Sequence, residues 1–115
     1  MTAGKPQAFP GFARLKYSRE FNLVRKQGRF FKTPHFLVYQ RLNGLGYNRL
    51  GITASRKVGN APQRNRAKRL LREVFRRYLK VATPSRDFSI IARRGAPALR
   101  YSDVLQEIQA VLMRE

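Results

Sequence analysis

Between Arg56 and Lys80 the chain reads RKVGNAPQRNRAKRLLREVFRRYLK, which holds ten cations and one acid, Glu73. Within it Ala67, Leu70, Leu71, Val74, Phe75, Tyr78 and Leu79 recur at helical spacing. A helix carrying this much like-charge repulsion is only marginally stable alone in water, so its apolar stripe needs a sheet to lie on. Asn60 suits the N-cap and Pro62 the first turn. At about 100° per residue, Arg64, Lys68 and Arg72 stack at i, i+4, i+8 along one edge of the stripe. Arg66, Arg69, Arg76, Arg77 and Lys80 spread over the opposed side.

The remaining segments supply that sheet. Ser18 is placed to cap a short helix running to about Gln27, with Glu20 near its positive end, Phe21, Leu23 and Val24 on its apolar side, and Gly28 to stop it. Phe36 to Tyr39 (FLVY) is strand-like, Asn43 to Asn48 (NGLGYN) is a turn, and RLGITAS follows with Leu50, Ile52 and Ala54 on one face. This pattern predicts an antiparallel hairpin. Arg29 to Lys32 could add a short strand, limited to an edge or ended by Pro34. After Thr83-Pro84-Ser85 the run DFSIIA reads as a further strand, and Ser102 and Asp103 open a last helix with Val104, Leu105, Ile108, Val111 and Leu112 inward. The expectation is an α+β fold, a single-domain α-β sandwich of order α-β-β-β-α-β-α. Residues 1–14 would form a flexible N-terminal arm and 15–115 one single domain.

A chain of 115 residues with a formal net charge of +19 attracts polyanions at long range, and nucleic acid is the default partner. No helix-turn-helix pair precedes the basic helix, which favours RNA over DNA on architecture. Arginine forks match phosphate, Asn65 can read a base edge or a sugar hydroxyl, and Arg56, Lys57 and Gly59 flank the unpaired N–H groups at the helix start. Catalysis by the protein itself is not indicated. Six acids are scattered as Glu20, Glu73, Asp87, Asp103, Glu107 and Glu115, with no metal-pair spacing and no nucleophile-base set. His35 has no second ligand near it and reads as a surface or packed imidazole, while Arg93 and Arg94 could meet RNA or water. Zero cysteines are compatible with a reducing cytoplasm. The lack of any apolar run near 20 residues, or of a secretory block, points to a soluble cytoplasmic protein without a membrane partner.

The string Lys57-Val58-Gly59-Asn60-Ala61, followed by Arg64-Asn65-Arg66-Ala67-Lys68-Arg69-Leu70-Leu71-Arg72-Glu73, resembles the signature of the bacterial ribonuclease P protein subunit. Gly51-Ile52-Thr53 before it and Ile90-Ile91-Ala92-Arg93 after it fit the same family. The resemblance implies a protein that binds a large catalytic RNA, one per RNA, and helps remove the 5′ leader of precursor tRNA. Magnesium would be held mainly by the RNA, and the fold would have a mostly antiparallel sheet with a left-handed strand-helix-strand crossover. It also implies RNA contacts from Arg56, Lys57, Asn60, Arg64, Asn65, Arg66, Lys68, Arg69 and Arg72. A leader cleft would lie among Phe21, Tyr39, Thr53, Arg64, Lys68 and Arg72, where exposed aromatics stack on unpaired bases and cations follow the backbone. Arg25 stands where the family often carries a second aromatic, one turn beyond Phe21. The competing reading is a ribosomal or general RNA-binding protein.

Overall fold

A computed structural model describes residues 13–112, apart from the side chains of Val81 and Leu112. In chain order come α1 (Ser18–Gln27), β1 (Arg29–Lys32), β2 (Phe36–Leu42), β3 (Arg49–Thr53), α2 (Ala61–Arg77), β4 (Arg86–Ala92) and α3 (Tyr101–Leu112). Short 3-10 turns at Leu79–Val81 and Ala96–Ala98 follow α2 and precede α3.

The four strands lie in the order β1-β2-β4-β3. β1 and β2 form an antiparallel pair, β2 and β4 another, and β3 runs parallel to β4, reached through α2. The expected β2–β3 hairpin is therefore corrected: β4 lies between the two strands, and β2 instead forms its hairpin with β1. The reason is burial. Asp87, Phe88, Ser89 and Ile90 of β4 are all buried, so the strand belongs at the centre, where covering both faces outweighs a local turn signal.

The core lies on one face of this sheet. Phe36 and Val38 of β2, Leu50 of β3, and Phe88, Ile90 and Ala92 of β4 meet Ala67, Leu71, Val74 and Phe75 of α2 and Val104, Ile108 and Val111 of α3. Each Val, Leu, Ile and Phe among them contributes roughly 1.5–3 kcal/mol by leaving water. Two expected members of the α2 stripe differ: Tyr78 caps the helix and is exposed, and Leu79 is buried from the following turn.

Helix α2 begins as its sequence predicts. Asn60 Oδ1 accepts the Gln63 N–H at 3.0 Å and Gln63 Oε1 accepts the Asn60 N–H at 2.9 Å. At α1 the cap moves by one residue, since Tyr17 is the N-cap and Ser18 the first helical residue. There Glu20 Oε1 reaches back to accept the N–H groups of Lys16 and Tyr17 at 2.7 and 3.1 Å. The expected arm lies outside the described residues through residue 12. Ala13 and Arg14, assigned to that arm, are instead docked, with Ala13 buried and Arg14 bridged to Leu50 on the edge of β3. Asn48 is a buried hub that the turn reading did not anticipate. Its Nδ2 faces the carbonyls of Leu79, Lys80 and Ala82, and its Oδ1 accepts the Arg86 N–H at 2.6 Å.

Candidate nucleic-acid interface

Strand register sorts the second sheet face into rows. Phe30, Tyr39, Ser89 and Gly51 stand across the four strands in one row, and Lys32, Leu37, Ile91 and Thr53 in the next. Helix α1 crosses this face at the first row. A Cβ on Gly51 would come within 2.4 Å of the Phe21 ring, so only a residue without one lets the ring lie on β3. Val24 is fully buried beneath the helix. Beyond α1 the face is open: Leu37, Tyr39, Thr53 and Ile91 are all half-buried, and Phe21 is half-buried at its margin.

The Tyr39 ring does not stand alone. Phe30, half exposed on the edge strand, lies with its centroid 4.9 Å from that of Tyr39, the planes tilted by 38°. Sequence reasoning missed Phe30 because the strand status of Arg29 to Lys32 was open; the β1–β2 register is what places the two rings side by side. Arg25 lies at the α1 margin of the open face. Its guanidinium is 6.0 Å from the Phe21 ring centroid and its Nη2 donates to Thr53 Oγ1 at 3.4 Å.

Past the edge of β3, α2 contributes its cationic row. Lys68 and Arg72 join Phe21, Leu15, Arg14 and Ile52 around a cavity of about 140 Å³. Partial burial, followed by repulsion from Arg14 and Arg69, pushes the Arg72 pKa below its ordinary value. A guanidinium under that stress is stabilised by an approaching anion. Arg64 is half-buried and spends Nη1 on the Gly59 carbonyl at 3.1 Å.

On the outward side of α2 the cations do not all remain free. Arg66 donates from Nε to the Pro97 carbonyl at 2.7 Å and from Nη2 to the Leu99 carbonyl at 3.1 Å, tying α2 to the turn before α3. Glu73 accepts from both Arg76 and Arg77, and Arg77 also covers the Tyr101 ring at 5.5 Å. Arg56, Lys57, Asn65 and Arg69 are exposed. Asn60 is exposed too, but its side-chain oxygen is engaged by the cap. Arg93 donates to the carbonyls of Thr33 and Pro34, whereas Arg94 faces solvent. His35 Nδ1 lies 2.6 Å from Glu107 Oε2.

Beneath α1 the open face rests on a charged anchor. Arg49 reaches Asp87 through Nε–Oδ1 and Nη2–Oδ2 contacts of 2.8 Å and Glu20 through Nη1 at 2.9 Å. The bond to Asp87 does most to raise the Arg49 pKa above its ordinary value, outweighing burial. Burial alone would raise that of Glu20, but the Lys16 and Tyr17 N–H groups and Arg49 together lower it.

A family model described as Ribonuclease P matches residues 9–115. The chain belongs to the ribonuclease P protein family. The ribonuclease P protein component of Syntrophus aciditrophicus is 36% identical over 102 residues, covering 89% of this chain and 86% of that one. The component from Thermotoga maritima is 41% identical over 88 residues, covering 76% and 75%. Solved ribonuclease P proteins share the fold: one from Staphylococcus aureus has a TM-score of 0.78 at 31% identity, covering 88% of this chain and 93% of that one. The Thermotoga maritima protein has a TM-score of 0.77 at 35% identity, covering 89% and 96%. As a ribonuclease P protein, the chain brings the sequence-assigned Phe21, Lys68 and Arg72 together around one cavity. Thr53 is joined to α1 through Arg25, while Tyr39 stands two strands away across the same face, beside Phe30.

Proposed function

We propose that this chain is the protein subunit of a ribonuclease P particle: it binds the catalytic RNA through α2 and the segment leading into it, and holds the 5′ leader of precursor tRNA on the open sheet face. The observation that carries the reading is the pairing of half-exposed rings on the open sheet face with cations at the α1 margin and past the β3 edge. Half-exposed Tyr39 and Phe30 offer rings to unpaired bases, and Arg25, Lys68 and Arg72 border the same side of the fold as phosphate partners. Stacking on ring faces is tolerant of base identity, so a surface of this kind accepts many leader sequences. Exposed Arg56, Lys57, Asn65 and Arg69 are the side chains left to meet the scaffold RNA, one protein per RNA, in the cytoplasm.

Cleavage belongs to the RNA in this reading. Magnesium is assigned there as well, because the described carboxylates are engaged within the protein: Glu20 and Asp87 by Arg49, Glu73 by Arg76 and Arg77, Glu107 by His35, and Asp103 by the Arg100 N–H. Among the described residues no three acids or histidines converge as metal ligands. The test is reconstitution with a bacterial ribonuclease P RNA at low magnesium. Cleavage of precursor tRNA should be restored by the protein; a rate equal to that of the RNA alone would overturn the assignment.

A further inference from the structure

Beside the β1 edge, a cavity of about 490 Å³ opens between the C-terminal end of α1, the β1–β2 hairpin and the segment leading into β4. Its volume is that of a small-ligand site. Arg29, Arg41 and Arg86 line it together with Phe31, Gln40 and Pro84, and no acidic residue does. Asp87 lies 3.9 Å from Arg41 Nη1, but its carboxylate is already held by Arg49 and Asn43. Arg41 also donates from Nε to Gln27 Oε1 at 3.1 Å.

Gln40 sets this cavity apart from a merely basic patch. The side chain is 7% exposed, and Nε2 has no hydrogen-bond partner. Its orientation is fixed, because Arg86 Nη1 donates to Oε1 at 3.2 Å and can donate to nothing but an acceptor. The amide nitrogen is buried behind the arginines that line the cavity, and a buried donor without a protein partner is destabilising. An acceptor satisfies it, and the surrounding guanidiniums favour an anionic one. Phe31, with Arg29 5.7 Å over its ring, and Pro84 add an apolar surface suited to a planar base.

We propose that this cavity is a second nucleotide site, independent of the leader surface. The phosphate sits between Arg29 and Arg86, whose flexible stems make room for it, and it accepts from Gln40 Nε2. The base lies on Phe31. The nucleotide could come from an RNA strand or from a free mononucleotide, since both present the same phosphate oxygens and ring.

The experiment follows the Gln40 side-chain amide by nuclear magnetic resonance in the free, full-length protein. Titration with adenosine 5′-monophosphate should shift it saturably, and adenosine should not. Tighter saturation by a five-residue oligouridylate would make an RNA strand the source; tighter saturation by the mononucleotide would make it free nucleotide. Arg29→Ala should weaken the response about tenfold, the scale of one charge-assisted contact, and Gln40→Leu should weaken binding followed at the Arg29 Nε. Arg94→Ala, at the far end of β4, should leave the titration unchanged. An amide that ignores both phosphate probes, or that responds to adenosine as it does to the monophosphate, overturns the site. Because the readout is local and needs no catalytic RNA, its failure is separable from failure of ribonuclease P reconstitution.

Discussion

Side chains of the same type in the Arg-Asn-Arg segment do different work. Arg66 is bound to the Pro97 and Leu99 carbonyls, whereas Arg69 is exposed. Arg66→Ala is therefore expected to lower the stability of the free protein by about 1–3 kcal/mol, seen as a reduced urea midpoint, while Arg69→Ala leaves the midpoint in place. Arg69→Ala should act on RNA instead, reducing the logarithmic salt slope of binding by about 0.7 to 0.9; an unchanged slope would mean that this side chain never meets phosphate. Tyr39→Ala should cost on the order of 1–3 kcal/mol of preference for leader-bearing over mature tRNA if a base stacks there, and equal loss for both substrates would remove Tyr39 from the site. The sequence announced the cations but not their partners, because the carbonyls that hold Arg66 lie some thirty residues downstream, beyond the reach of any helical pattern. Phe30 was hidden for a similar reason: its meaning depends on a cross-strand neighbour.

Secondary-structure elements were legible where local chemistry defines them. The α2 cap box, Pro62 in the first turn and the apolar spacing are all local, and the helix begins where they place it. Strand pairing is not local. The Asn43 to Asn48 turn suggested a hairpin, but the connection passes the start of β4, with the Asn43 N–H donating to the Ser85 carbonyl. Only the burial of β4 on both faces explains its central position. Docking of α1 depends on Glu20 and Arg49, which gives it a pH signature. The lowered Glu20 pKa contributes stability above the usual 4.5 that is lost as pH falls through the folded value. Urea unfolding of the wild type should therefore lose stability below about pH 4.5 more steeply than Glu20→Gln does. Parallel curves for the two proteins would show that the carboxylate contributes nothing to folding.

At the scale of the whole molecule, a net charge of +19 is compatible with one small fold because its surfaces divide the cations. Some are consumed internally, as in Arg49 with Asp87 and Glu20, and others stay exposed along α2 and around the open sheet face. The apolar core lies under α2 and α3 on one sheet face, and the other face, beside α1, is the proposed leader surface. Leu37 stands half-buried on that second face, in the row of Ile91 and Thr53. A photo-crosslinking amino acid placed at position 37 in the reconstituted particle tests the placement of the leader on this face. It should capture the 5′ leader of precursor tRNA and give no product with mature tRNA; equal capture of both, or none of the leader, would contradict it.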